Sequence, residues 1–122
     1  MMKRTLAVVS ALLCALLLAA PALAVSVVKP TGNFASDFAG VLSESARRHI
    51  EINAKALENA TGAQIVFVTL TSTKPAAIDD YAFKLFSEWK IGDASKNNGL
   101  LVLLAVGDDD YYTMQGTGLE RN

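Results

Sequence analysis

The run Gln64-Ile65-Val66-Phe67-Val68-Thr69-Leu70-Thr71 is β-branched or apolar at nearly every position, with no alternation between a wet and a dry face. Such a run suits a strand covered on both sides, which places it inside a sheet rather than at its edge. After a Ser-Thr-Lys-Pro turn, Ile78, Ala82, Leu85, Phe86 and Trp89 recur at helical spacing. Asp79 and Asp80 stand in the first turn of that helix, and Gly92 is expected to close it. Leu100-Leu101-Val102-Leu103-Leu104-Ala105-Val106 is a second buried strand, which predicts a parallel β-α-β crossover. The short Gly107-Asp108-Asp109-Asp110 turn then predicts a third strand over 111–115, antiparallel to its predecessor. The expected fold class is α/β, with a mixed, mostly parallel central sheet flanked by helices.

Working toward the amino terminus, Ser43 is a good N-cap with Glu44 in the first turn behind it. A helix is predicted over 44–60, carrying Ala46, Ile50, Asn53, Ala54 and Leu57 on one side, with Gly62 as its left-handed stop. Residues 25–36, with Pro30, Thr31 and Gly32, show no clear period and read as an extended lead-in to a domain over 37–122. Residues 1–24 read as a signal peptide. Met1-Met2-Lys3-Arg4 is the positive n-region, an apolar stretch follows, and Ala22-Leu23-Ala24 supplies the small residues required before cleavage at Val25. The uncharged stretch is also long enough to serve as an uncleaved anchor. The expected location is outside the cytoplasm, in the cell envelope or beyond it, with membrane attachment as the variant reading. Cys14, the single cysteine, lies in the leader, so disulfides, cysteine nucleophiles and thiolate metal sites are excluded from residues 25–122.

Composition narrows the chemistry further. The chain has 122 residues, 52% of them hydrophobic, and a mean hydropathy of +0.31 that owes much to the leader. Eleven Lys and Arg stand against twelve Asp and Glu, the basic residues are scattered apart from Arg47-Arg48, and no basic patch marks a nucleic-acid partner. The one histidine, His49, falls in a charged part of the first helix and reads as a solvated face, which leaves Ser-His-Asp and two-His metal chemistry without a basis. Carboxylates remain. Asp108, Asp109 and Asp110 crowd three acids into one turn, a pattern that suits a hard cation such as Ca²⁺ or Mg²⁺ but is explained more simply as hairpin-turn chemistry on a wet loop. Asp37 joins that set if the segment before the first helix runs beside the turn. Lys96-Asn97-Asn98-Gly99 reads as a strand-opening turn or a ligand-facing cluster, and Gly116-Thr117-Gly118 lacks the lysine and spacing of a phosphate loop. No organic cofactor is expected.

Six short motifs occur in order: Asp37-Phe38-Ala39-Gly40-Val41-Leu42-Ser43, Thr61-Gly62-Ala63-Gln64-Ile65, Asp79-Asp80-Tyr81-Ala82, Trp89-Lys90-Ile91-Gly92, Asn97-Asn98-Gly99-Leu100-Leu101 and Gly116-Thr117-Gly118-Leu119-Glu120. Together they resemble the TPM domain family, exported bacterial proteins related to the thylakoid phosphatase-like proteins of photosystem II repair. The resemblance implies an α/β sandwich and an exported or membrane-attached protein. It implies an acid phosphatase acting on phosphomonoesters, with calcium near an acidic pocket, so metal-assisted hydrolysis of a small phosphomonoester is one expected function. Because no catalytic pair is recognisable in the sequence, the alternative is a non-catalytic, cation-binding module that meets a membrane-protein partner in quality control or assembly. Carried over by position, Asp37 matches the early aspartate of the family, and with Asp108 and Asp110 it forms the expected metal set. Asn98, Gly99, Gly116, Gly118 and Glu120 form the expected ligand-binding set. Asn97 stands where many relatives have Asp, and the Asp-Asp-Asp-Tyr-Tyr stretch replaces an Asp-Arg type of turn. In the family further helices follow Gly-x-Gly-Leu-Glu, so the resemblance implies a domain incomplete at its C-terminal end and marginal in stability.

Overall fold

The computed structural model describes residues 25–120. The leader, with Cys14 and the cleavage site, lies outside them. Four strands and two helices follow in the order β1 (Ala35–Asp37), α1 (Glu44–Thr61), β2 (Gln64–Leu70), α2 (Ile78–Glu88), β3 (Gly99–Ala105) and β4 (Asp110–Gln115). Spatial order in the sheet equals chain order. β1, β2 and β3 are parallel, and β4 is antiparallel to β3, with Leu103 opposite Tyr112.

The two faces of the sheet carry different covers. Val66, Val68 and Leu70 of β2 share a face with Leu101, Leu103 and Ala105 of β3, their register partners, and all six are buried. Ala82 and Leu85 of α2 close over them, with Phe86, Tyr112 and Met114 at the margin. α1 packs on the other face, over β1 and β2. There Leu100, Val102 and Leu104 of β3 stay half-buried, which gives β3 its alternating pattern of cover.

Both helices end for identifiable reasons. Ser43 Oγ accepts the Ala46 N–H at 3.0 Å to start α1, and Gly62, at φ 77°, ends it by donating to Glu58 O. α2 stops earlier than Gly92. Lys90 takes the left-handed conformation at φ 51°, with Ile91 N–H on Phe86 O and Lys90 N–H on Ser87 O. This pair of bonds is a Schellman closure with lysine in the usual place of glycine. Gly92 serves a different need: a Cβ there would lie 2.4 Å from the Gly99 nitrogen, so the two backbones touch only because both residues are glycine.

The lead-in is the main departure from expectation. Its last residues form β1, with Ala35 opposite Phe67, and its first residues are a strap across α2. Val28 N–H donates to the Tyr81 hydroxyl at 3.0 Å, Trp89 Nε1–H donates to Val28 O at 2.8 Å, and Val25, Val27 and Val28 pack on the core. The third predicted strand begins one residue early, at Asp110, after a 3-10 turn over Val106–Asp108.

Candidate functional site

Three parallel strands end on the same edge of the sheet, and the loops that leave them bring Asp37, Thr69, Ser72, Thr73, Lys74 and Asp108 to that edge. Crevices at the carboxyl ends of parallel strands are where open α/β sheets receive ligands.

Asp37 is the last residue of β1, directly opposite Thr69 in β2. The Thr69 hydroxyl donates to Asp37 Oδ1 at 2.5 Å, while the N–H groups of Val41 and Leu42 donate to Oδ1 and Oδ2 at 3.1 and 3.0 Å. Thr69 Oγ1 also accepts the Ala39 N–H. The carboxylate therefore folds the β1–α1 loop back onto the sheet. The Thr69 hydroxyl, aided by the backbone N–H groups, holds the Asp37 pKa below the ordinary aspartate value, against the opposing effect of desolvation.

Asp108 does the same for the next loop. Ser72 Oγ lies 2.9 Å from both of its carboxylate oxygens, Thr73 N–H donates to Oδ2 at 3.1 Å, and Lys74 Nζ stands at 3.8 Å. Gly107 N–H bonds Thr71 O, and a Cβ on Gly107 would lie 2.5 Å from that oxygen. The β3–β4 turn is thus stitched to the β2–α2 loop. Ser72, then Thr73 and the Lys74 charge, depress the Asp108 pKa despite some desolvation.

Asp110 stands apart from both, its Oδ1 accepting the N–H of Tyr111 at 2.9 Å. Asp109 between them is in the left-handed region at φ 52°. Asp37, Asp108 and Asp110 therefore answer to separate donors. Among the described residues no three His, Cys, Asp or Glu side chains are grouped to hold a metal ion. The donor set present does not fit a shared divalent cation.

The expected ligand-binding residues gather at the opposite end of the sheet, where β3 begins and β4 finishes. Asn98 is buried, its Oδ1 accepting the Asp93 N–H at 2.9 Å and its backbone oxygen the Gln64 N–H. Gly116 N–H bonds Gly99 O, and Gly118 N–H bonds Asn97 O. Added Cβ atoms at Gly116 and Gly118 would lie 2.2 Å from Asn97 O and 1.8 Å from Lys96 O. Close backbone contact accounts for Gly99, Gly116 and Gly118; Glu120 is exposed. Asp93 was not singled out from the sequence, yet it organises this end: its Oδ1 accepts Ser95 Oγ–H at 2.5 Å and the N–H groups of Ser95 and Lys96, and these bonds lower its pKa, the Ser95 hydroxyl first. The Asp-x-Ser spacing was its only local signal. Thr69 and Ser72 carried none, since each meets its carboxylate only through the tertiary fold.

His49 lies beside an apolar groove lined by Ile50, Asn53, Ala54 and Leu57 of α1 and Ile65 and Phe67 of β2. No helix among the described residues is long and apolar enough to cross a membrane.

Comparison with known proteins places this geometry. The TPM domain matches residues 35–122. A solution NMR structure of the N-terminal domain of a protein from P. gingivalis superposes with a TM-score of 0.65 at 29% identity, over 71% of this chain and 55% of that one. The N-terminal domain of a Corynebacterium glutamicum protein superposes with a TM-score of 0.62 at 19% identity, over 82% of this chain and 64% of that one, a likeness of fold. The chain thus spans less than two thirds of either solved domain. No curated protein matches it.

Proposed function

The chain belongs to the TPM domain family, and from that premise we propose that it is an exported, non-catalytic binding module that meets a membrane-protein partner in quality control or assembly. The observation that carries this reading is the state of the two strand-end carboxylates. Asp37 and Asp108 are both held ionised by hydroxyl and backbone donors, with their pKa values pushed away from neutrality. A general base is most effective when its pKa lies near the working pH, and these two are displaced in the other direction. Ser72 Oγ donates to such a carboxylate and accepts the Lys74 N–H at 3.1 Å, and the one histidine sits on α1 by the apolar groove.

Hydrolysis of a small phosphomonoester is the second reading. What favours it is position: Ser72, Thr73, Lys74 and Asp108 stand where α/β sheets receive ligands, with a lysine to meet a phosphate. Calcium or magnesium would have to find ligands beyond the three aspartates, which do not converge.

Aryl phosphate hydrolysis by the purified protein, with and without added Ca²⁺ or Mg²⁺, separates the two. The binding-module reading expects no turnover above background in any condition and a lower melting temperature for Asp108→Asn. Metal-dependent turnover abolished by Asp108→Asn, in a variant whose circular dichroism is unchanged, would overturn it.

A further inference from the structure

The two edges of the sheet are finished differently. At β1 the outward N–H of Ala35 is taken by the Glu51 carboxylate of α1 at 2.8 Å, so a side chain closes that edge. At β4 the run Tyr111-Tyr112-Thr113-Met114-Gln115 carries no Lys, Pro or Gly and no charge. Natural edge strands are ordinarily shielded by such residues, by a bulge or by an overlying element, because an open row of backbone groups pairs with other chains.

The phase of the β3–β4 ladder says which groups are open. Gly116 N–H bonds Gly99 O, and Leu101 and Leu103 face Met114 and Tyr112. In an antiparallel ladder residues alternate between inward and outward backbone groups, so Asp110, Tyr112 and Met114 bond β3 while Tyr111, Thr113 and Gln115 turn outward. The Tyr111 N–H accordingly finds its own neighbour Asp110 rather than β3. Among the described residues nothing covers the outward groups of Thr113 and Gln115.

We propose that this edge pairs with the same edge of a second copy, antiparallel, with Thr113 on the two-fold axis. Only that register lets every outward residue of β4 pair, Thr113 with its own copy and Tyr111 with Gln115 of the other chain. The register also sorts side chains correctly. Tyr112 meets Met114 of the second copy on the face that carries α2, Tyr111 meets Gln115 on the other, and threonine meets threonine at the centre, a favourable cross-strand pair. Asp110 falls opposite Gly116, so no like charges confront each other. A self-complementary patch of this kind is what a closed, isologous dimer requires.

A second observation on a different element points the same way. α2 lies over β4 and β3, and Phe86, like Tyr112 and Met114, packs at the margin of the core. Phe83, one turn earlier and on the same flank, is 62% exposed. Two positions along a helix turn a side chain through about 200°, so Phe83 leaves α2 on the flank opposite Tyr81, which holds the strap. On a helix that lies over β4, that flank faces the α2 helix of the second copy once the two-fold brings the two helices alongside. An exposed phenylalanine there gains a partner that the described residues do not supply.

Light scattering after size exclusion, on the purified protein from about 5 to 500 μM, the range in which modest edge interfaces assemble, tests the proposal. A concentration-dependent dimer is expected. Thr113→Pro removes an N–H that β3 does not use, so it should leave the far-ultraviolet circular dichroism unchanged and give a monomer. Phe83→Lys, at an exposed position, should weaken the dimer by about tenfold or more, as loss of an aromatic anchor does. Hydrogen exchange supplies a readout free of mutation: the Thr113 and Gln115 amides should slow as concentration rises, while the Ala35 amide does not. A monomer across the range, a dimer that survives Thr113→Pro, or concentration-independent exchange at Thr113 and Gln115 would each overturn the proposal.

Discussion

Thr69 is 1% exposed, and its hydroxyl binds a carboxylate thirty-two residues earlier in the chain. At the scale of single residues this pair shows what the strand-end acids do: they fasten loops. Thr69→Val keeps the shape and deletes the donor to Asp37 and the acceptor for Ala39 N–H, so the chain should lose about 1–3 kcal/mol in urea unfolding. The Asp37 carboxyl should then titrate closer to an ordinary aspartate, a change that carbon-detected NMR reads directly. The glycines at the other end of the sheet make an independent prediction. Gly118→Ala places a Cβ against Lys96 O, at a backbone position that cannot yield without moving the Lys96–Asn97 turn, and should cost about 1–3 kcal/mol. If Gly118 instead lay open to receive a ligand, the same substitution would leave stability untouched. The sequence marked Asp37, Asp108 and the glycines as unusual but not their work, because Thr69 and Ser72 reach them across thirty-two and thirty-six residues. Three adjacent aspartates suggested a shared cation. The left-handed backbone at Asp109 and separate donors for Asp108 and Asp110 send the flanking carboxylates to different tasks.

At the scale of elements, β2, β3 and α2 were legible because each has a strong period or a long β-branched or apolar run. β1 was not. Its three residues, Ala35-Ser36-Asp37, carry no pattern, and they form a strand only because β2 offers a ladder and Glu51 closes the outer side. The alternation in β3 supplies a test of the two faces. Leu103, fully buried under α2, should cost about 2–5 kcal/mol when changed to Ala, whereas Val102→Ala, on the half-covered face, should cost clearly less. Equal costs in paired denaturation curves would mean that both faces are sealed. The strap has its own signature: Trp89→Phe deletes the Nε1–H bond to Val28 O and should cost about 0.5–1.5 kcal/mol, with faster amide exchange over residues 25–28.

For the whole molecule, the fasteners at the strand ends tie stability to pH. Asp37 and Asp108 have pKa values below that of an unfolded aspartate, 3.8. As pH falls through the unfolded value the unfolded chain takes up protons first, so their contribution, complete above that value, is lost as pH drops on through the folded values. The same two groups stand at the ends of three parallel strands, so their loss loosens the β1–α1 and β2–α2 loops and the β3–β4 turn together. The measurement that tests the central claim most directly is urea unfolding between pH 3 and pH 7 for the wild type and for Asp37→Asn/Asp108→Asn. Carboxylates that act as fasteners predict a wild type that weakens steeply below about pH 4 and a double variant that is less stable at pH 7 with a flatter profile. A double variant as stable as the wild type at pH 7, with the same acid limb, would contradict the account and leave both carboxylates free for chemistry.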